Sequence, residues 1–220
     1  MQMVIANVLS AEEIAIACAA LARARFVDGR ETAGFAARLV KDNRQAAGDE
    51  RALEMVRKLV HERILGNELF AMAVRPKALS ALLFSRYEEG MHYGSHVDDA
   101  LIAGMRTDLS FTLFLCDPAS YEGGELTIES ASGEETFKPA AGALVIYPAT
   151  SLHRVTPVTS GIRLAAVGWA RSFVRDPARR ELLFDLDTAR RQIFARDGKS
   201  AEFDLISKSF ANLLRMWVED

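Results

Sequence analysis

His96-Val97-Asp98 sets an imidazole and a carboxylate two residues apart. In extended backbone such residues point to the same side, so the pair can grip one metal ion. The spacing arises often by chance and needs a third ligand. His153, far downstream in another β-rich run, can supply it. Two histidines and one carboxylate form a facial triad, which leaves coordination positions open. That vacancy suits Fe(II) when a bidentate cosubstrate and dioxygen must both bind. Structural zinc prefers four closed ligands, often with cysteine, and none is near in the sequence.

Arg163 follows His153 across the Pro157–Gly161 segment, expected to be a turn. If the flanking strands pair as a hairpin, Arg163 lies beside His153 on the neighbouring strand. A guanidinium there would hold a distal carboxylate bidentately. A lone arginine in a strand is ordinarily a solvated charge or half of an ion pair. The flanks Ile162, Leu164, Ala165 and Ala166 weigh against a solvated face. His92 shares the parity of His96 but lies about 13 Å up an ideal strand. It reads as pocket wall rather than ligand. His61, among charges in a helix, reads as a surface or half-buried residue. Arg106, Thr107 and Asp108 would line the substrate mouth or form a polar loop.

These residues need elements to position them. Ser10-Ala11-Glu12-Glu13 is a capping box and predicts a helix through Arg25, broken at Asp28-Gly29. A second amphipathic helix is predicted over Asp49 to Leu65, ending at Gly66-Asn67. From Leu79 to Ser172 the texture becomes strand and turn. β-rich runs are predicted at Leu79–Arg86, Leu109–Leu115, Glu125–Glu129, Thr136–Lys138, Ala143–Tyr147, Leu152–Pro157 and Arg163–Arg171. Turn signals fall at Tyr121-Glu122-Gly123-Gly124, Ala131-Ser132-Gly133, Ala141-Gly142 and Thr159-Ser160-Gly161. Strands so spaced suggest a sandwich or barrel rather than a parallel sheet. After Asp176-Pro177 the pattern is helical again. A last helix, Glu202 to Val218, carries Leu205, Ile206, Phe210, Leu213, Leu214 and Trp217 on one face. That stripe must bury on the N-terminal helices or in a homodimer. The arginine pairs at 179–180 and 190–191 alternate with acids and read as a solvated face.

Composition narrows the classes. The chain has 220 residues, half of them hydrophobic and 26% charged, with a formal net charge of -3. That balance excludes a disordered, collagenous or coiled-coil plan. No basic stripe suggests nucleic acid, and no apolar run suggests a membrane span. Cys18 and Cys116 read as buried thiols in a reducing compartment. With no basic, apolar leader at Met1-Gln2-Met3-Val4, a cytoplasmic protein is expected.

The run Tyr87-Glu88-Glu89-Gly90-Met91-His92-Tyr93-Gly94-Ser95-His96-Val97-Asp98 is joined by Gly123-Gly124-Glu125-Leu126, His153 and Arg163. Together they resemble the prolyl 4-hydroxylase-like Fe(II)/2-oxoglutarate-dependent dioxygenases. Within these the chain is most similar to the bacterial PKHD-type hydroxylases. The resemblance extends to total length, motif position and the helical tail after Arg171. It implies an α+β fold with a mainly β core. That core would be a double-stranded β-helix, or jelly roll, with N-terminal helices packed on it and a C-terminal helical extension. The divisions would be 1–77, 78–172 and 173–220.

The resemblance also implies Fe(2+) on His96, Asp98 and His153, and Arg163 on the far carboxylate of 2-oxoglutarate. Tyr93 or Tyr87 would be the phenol near the cosubstrate, and Tyr93 sits three residues before His96 as in the family pattern. The activity implied is hydroxylation by dioxygen with release of succinate and carbon dioxide. L-Ascorbate (vitamin C) would be the reductant, and the family's association is with iron uptake. An iron and 2-oxoglutarate sensor without hydroxylation stays open. So does a cupin-like metalloenzyme that does not use 2-oxoglutarate. The substrate is an unidentified small molecule or peptidyl group; no nucleic acid or membrane partner is expected.

Overall fold

A computed structural model describes residues 1–48 and 50–219. The chain opens with β1 (Met3–Ile5) and α1 (Ala11–Leu21), then β2 (Arg25–Asp28), β3 (Lys41–Asp42), β4 (Arg44–Ala47), α2 (Arg51–Gly66) and α3 (Glu68–Val74). The β region follows with β5 (Pro76–Leu79), β6 (Leu83–Tyr87), β7 (His92–His96), β8 (Leu101–Ile102), β9 (Met105–Arg106) and β10 (Leu109–Phe114). It continues through β11 (Tyr121–Gly123), β12 (Leu126–Ser130), β13 (Gly133–Phe137) and β14 (Leu144–Pro148). It ends with β15 (His153–Val155), β16 (Val158–Gly161) and β17 (Arg163–Ser172), after which come α4 (Pro177–Asp197) and α5 (Ala201–Trp217).

Two antiparallel sheets make the core. The major sheet has eight strands in the order β1-β14-β10-β17-β6-β4-β2, with β5 also paired to β17. The minor sheet has five, in the order β13-β12-β15-β7-β3. This is the expected jelly-roll core. Alternation along the major-sheet strands assigns its two faces. Leu109, Phe111 and Leu113 of β10, with Leu144 and Ile146 of β14, pack under Leu53, Val60, Phe70 and Val74 of the N-terminal helices. The intervening Phe114, Val145 and Tyr147 turn inward onto Leu126, Ile128 and Phe137 of the minor sheet. A strand covered on both faces is buried throughout, as β10 is.

Several local expectations are corrected. The capping box at Ser10 forms, but α1 stops at Leu21, because Arg25–Asp28 pairs with β4 as a sheet edge. The expected start of the second helix at Asp49 lies outside the described residues; α2 begins at Arg51. The single strand expected over Leu79–Arg86 breaks in two. Ser80 bonds Trp169 through backbone and side chain, and β5 and β6 both lie along β17. The segments expected as turns at Tyr121–Gly124 and Thr159–Gly161 pair with each other as β11 and β16, with a bulge between Glu122 and Gly123.

The C-terminal stripe buries within the chain, against α4 and the end of β17, rather than on α1 or α2. Phe210 packs with Val174 and Leu183, ringed by Leu186, Leu213, Leu214 and Trp217, while Leu205 is exposed. Nor do the arginine pairs form a plain solvated face. Arg180 is buried and donates to the Val174 and Arg175 carbonyls. Arg190 and Arg191 grip Asp187, which also receives Arg75 at 2.8 Å and so ties α4 to the end of α3. The two thiols are free and half-buried. No helix among the described residues is long and apolar enough to cross a membrane.

Candidate active site

The site is built where the two sheets face each other. β15 pairs with β7 so that His153 stands directly opposite His96. Asp98 lies just past the end of β7 and turns back toward both imidazoles. His96 Nε2 is 4.0 Å from Asp98 Oδ1, and His153 Nε2 is 3.8 Å from Asp98 Oδ2. One donor atom from each of the three residues lies within 4.8 Å of the others.

Each imidazole is oriented from behind. His96 Nδ1 meets the Gly94 carbonyl at 2.8 Å, and His153 Nδ1 meets the Ser151 carbonyl at 3.0 Å. A carbonyl can only accept, so each Nδ1 carries the proton and each Nε2 presents a lone pair. Burial and the neighbouring His153 lower the His96 pKa to about 4, which keeps that ring neutral. Ser110 donates to Asp98 Oδ2 at 2.5 Å and fixes the carboxylate. Tyr93 stacks on His96 with centroids 3.6 Å apart, and the Tyr147 ring meets His153 at 4.9 Å.

Arg163 stands on the major sheet, where β17 pairs with β6 and sets it opposite Tyr87. The hairpin expected between the strands of His153 and Arg163 does not form. β15 pairs within the minor sheet and β17 within the major one, so the two residues meet across the sandwich. They line the same cavity, of about 600 Å³, with His96 and Asp98. Arg163 is 1% exposed, between the rings of Tyr87 and Phe114 at 5.1 and 5.0 Å. Its Nε has no hydrogen-bond partner, and no carboxylate of the described residues forms an ion pair with it. A buried guanidinium left so calls for an anionic ligand. Gly124 makes its space: a Cβ there would come within 3.0 Å of Arg163 Cδ and 2.9 Å of Val158.

Tyr87 and Tyr93 both line the cavity, at different places. Tyr87 lies against Arg163, its hydroxyl pKa raised by burial and lowered by that charge. Tyr93 lies against His96, its hydroxyl pKa raised by burial and then by Asp98. His92 is not part of the cavity lining; its backbone lies opposite Asp42 where β7 meets β3, and its ring sits by the Gly90 carbonyl. Arg106, Thr107 and Asp108 do not line the cavity either. Arg106 chelates Asp108 and reaches Glu219, while Thr107 donates to the Asp99 carbonyl. They pin the loop after Asp98 and the C-terminal tail. Ser110, Tyr147, Asn43 and Lys41 enter the lining without having been singled out from sequence. The alternation Leu109-Ser110-Phe111-Thr112-Leu113 could have flagged Ser110 as an inward polar residue; nothing local distinguishes Lys41.

The sequence model of the 2OG-Fe(II) oxygenase superfamily matches residues 82–171, and that of the PKHD-type hydroxylase C-terminal domain matches residues 177–219. A PKHD-type hydroxylase of Acaryochloris marina is 55% identical over 219 residues, covering 100% of both chains. The chain belongs to the PKHD-type hydroxylase family. Its fold is similar to a prolyl-4-hydroxylase of Pseudomonas putida, with TM-score 0.55 and 23% identity over 78% of this chain and 92% of that one. It is also similar to a prolyl hydroxylase of Trichoplax adhaerens, with TM-score 0.60 and 15% identity over 77% and 82%. As a PKHD-type hydroxylase the chain is a 2-oxoglutarate-dependent dioxygenase, and its family implies Fe(2+) and 2-oxoglutarate. The residues fit those groups: three neutral or anionic donors converge on one point, and a buried guanidinium whose Nε has no hydrogen-bond partner shares their cavity.

Proposed function

We propose that this hydroxylase oxidises 2-oxoglutarate to succinate and carbon dioxide while hydroxylating a substrate held in the same cavity. His96, Asp98 and His153 are its metal ligands and Arg163 its cosubstrate anchor. The observation that carries this reading is the placement of a buried arginine, without an ion-pair partner among the described residues, in one cavity with a convergent His-Asp-His set. Bound there, Fe(II) and 2-oxoglutarate would supply the electrons that reduce and so activate dioxygen, the oxidant of the reaction, and L-ascorbate would be the reductant that keeps the iron ferrous.

The chain's own work is positioning. The Gly94 and Ser151 carbonyls hold both Nε2 atoms toward one point, and Ser110 holds Asp98 there. Arg163 takes the far carboxylate of 2-oxoglutarate. The rings of Tyr87 and Phe114 flank its guanidinium and keep water from it. Tyr93, stacked on His96, fixes the plane of that ring and forms the cavity wall beside it.

The test is oxygen-dependent succinate formation from 2-oxoglutarate in the Fe(II)-loaded protein and in His96→Ala. Wild type is expected to form succinate slowly without substrate, and His96→Ala none. Equal rates in the two would exclude the assignment.

A further inference from the structure

The cavity holds a second cation that the proposed reaction leaves unused. Lys41 lies on β3, the edge of the minor sheet, in register with Tyr93 of β7. It is 5% exposed. Its ammonium donates to Thr32 Oγ1 at 3.0 Å and lies 5.0 Å from the centre of the Tyr93 ring. Thr32 is itself held by the Gly29 carbonyl and Gln45 Oε1. No carboxylate of the described residues lies within ion-pair distance of Lys41. An ammonium withdrawn from water with one hydroxyl as its hydrogen-bond partner has donors left over, and its charge is met only at longer range, by Asp98 and Asp28.

An anion is what answers that charge. A metal cation is repelled by it. The far carboxylate of 2-oxoglutarate has Arg163, which stands on the opposite sheet. What remains is the substrate. The cavity wall includes the apolar Leu79, Leu83, Leu101, Ile102, Met105 and Trp169 together with the polar Asn43, Gln45 and Ser85. Resting on the dioxygenase reading, we propose that Lys41 is a substrate-binding residue and that the substrate carries a carboxylate on an apolar body. Burial lowers the Lys41 pKa to about 8, with Asp98 and Asp28 holding it up, so the ammonium persists at neutral pH. Lys41 lies outside both segments matched by the family models.

The test is calorimetric binding to full-length protein loaded anaerobically with Fe(II) and saturated with 2-oxoglutarate. The probes are phenylacetate, phenylacetamide, and the N-acetylated, C-amidated peptide Gly-Gly-Glu-Gly-Gly with its Gln counterpart. Each is titrated into wild type, Lys41→Met and Lys41→Arg. In wild type an acid is expected to bind about tenfold or more tighter than its amide. Lys41→Met should erase that preference and Lys41→Arg keep it, with 2-oxoglutarate affinity unchanged in both. A preference confined to phenylacetate places the carboxylate on a small molecule; one confined to the peptide places it on a peptidyl substrate. The inference is overturned if no acid is preferred over its amide in wild type, or if Lys41→Met keeps the preference. It is also overturned if Lys41→Met loses 2-oxoglutarate as Arg163→Ala does. Failure of wild type to bind 2-oxoglutarate, seen before any probe is added, overturns the dioxygenase reading instead.

Discussion

Ser110→Ala removes a single oxygen from the core and isolates what holds the metal carboxylate in place. Ser110 is buried on β10, and its hydroxyl meets Asp98 Oδ2 at 2.5 Å. A hydrogen bond to a charged group contributes about 1.5–3 kcal/mol, and this one is at the short, charge-assisted end. The bond exists before metal binds, so its loss divides between the stability of the metal-free fold and the affinity for metal. If about half reaches the metal, the 1.4 kcal/mol per decade relation gives a roughly tenfold weaker site. That is the low end of the 10- to 100-fold range seen when partners behind a ligand are removed. Anaerobic Fe(II) titration of the two proteins measures it, with thermal melts to separate the stability share. A metal dissociation constant within about twofold of wild type, in a folded variant, would refute the reasoning that Ser110 positions Asp98.

Other substitutions probe the cosubstrate pocket, the metal and the C-terminal helices. Gly124→Ala places a Cβ against Arg163 at a backbone φ of +66°, so 2-oxoglutarate affinity should fall about tenfold while metal affinity holds, read by parallel titrations. Metal at about 100 times its dissociation constant should stabilise wild type by about 2.7 kcal/mol in a melt, reversed by chelator and absent in His153→Ala. Asp187→Asn leaves Arg75, Arg190 and Arg191 without their shared carboxylate and should cost about 3 kcal/mol. Limited proteolysis should then cut α4 and α5 before the β core.

What could be read in the sequence followed from chemistry that is local in sequence. His96 and Asp98 stood out by their two-residue spacing, although Asp98 lies past the end of β7 and reaches the imidazoles by a turn rather than by strand parity, and Arg163 stood out as a charge in an apolar run. The jelly roll itself came from resemblance, because strand spacing alone leaves sandwich and barrel open. What escaped was pairing between distant segments. Arg25–Asp28 looked like the end of a helix, since its value as a strand lies in Ala47 and Gln45 across the sheet. The Tyr121–Gly124 and Thr159–Gly161 segments carry glycine and serine as turns do, yet they complete each other as a short sheet. The same blindness put Arg163 on a hairpin with His153, when β16 intervenes and the two strands join opposite sheets. Lys41 is a lysine before an aspartate, and only the fold brings it under Tyr93.

The most direct test of the metal and cosubstrate assignment is 2-oxoglutarate binding to anaerobically Fe(II)-loaded wild type and Arg163→Ala. Wild type should bind one equivalent, and the variant, with its iron retained, should bind about 100-fold more weakly as a buried charge-assisted pair is lost. Absence of binding in fully metallated wild type, or equal binding in the two proteins, would contradict it.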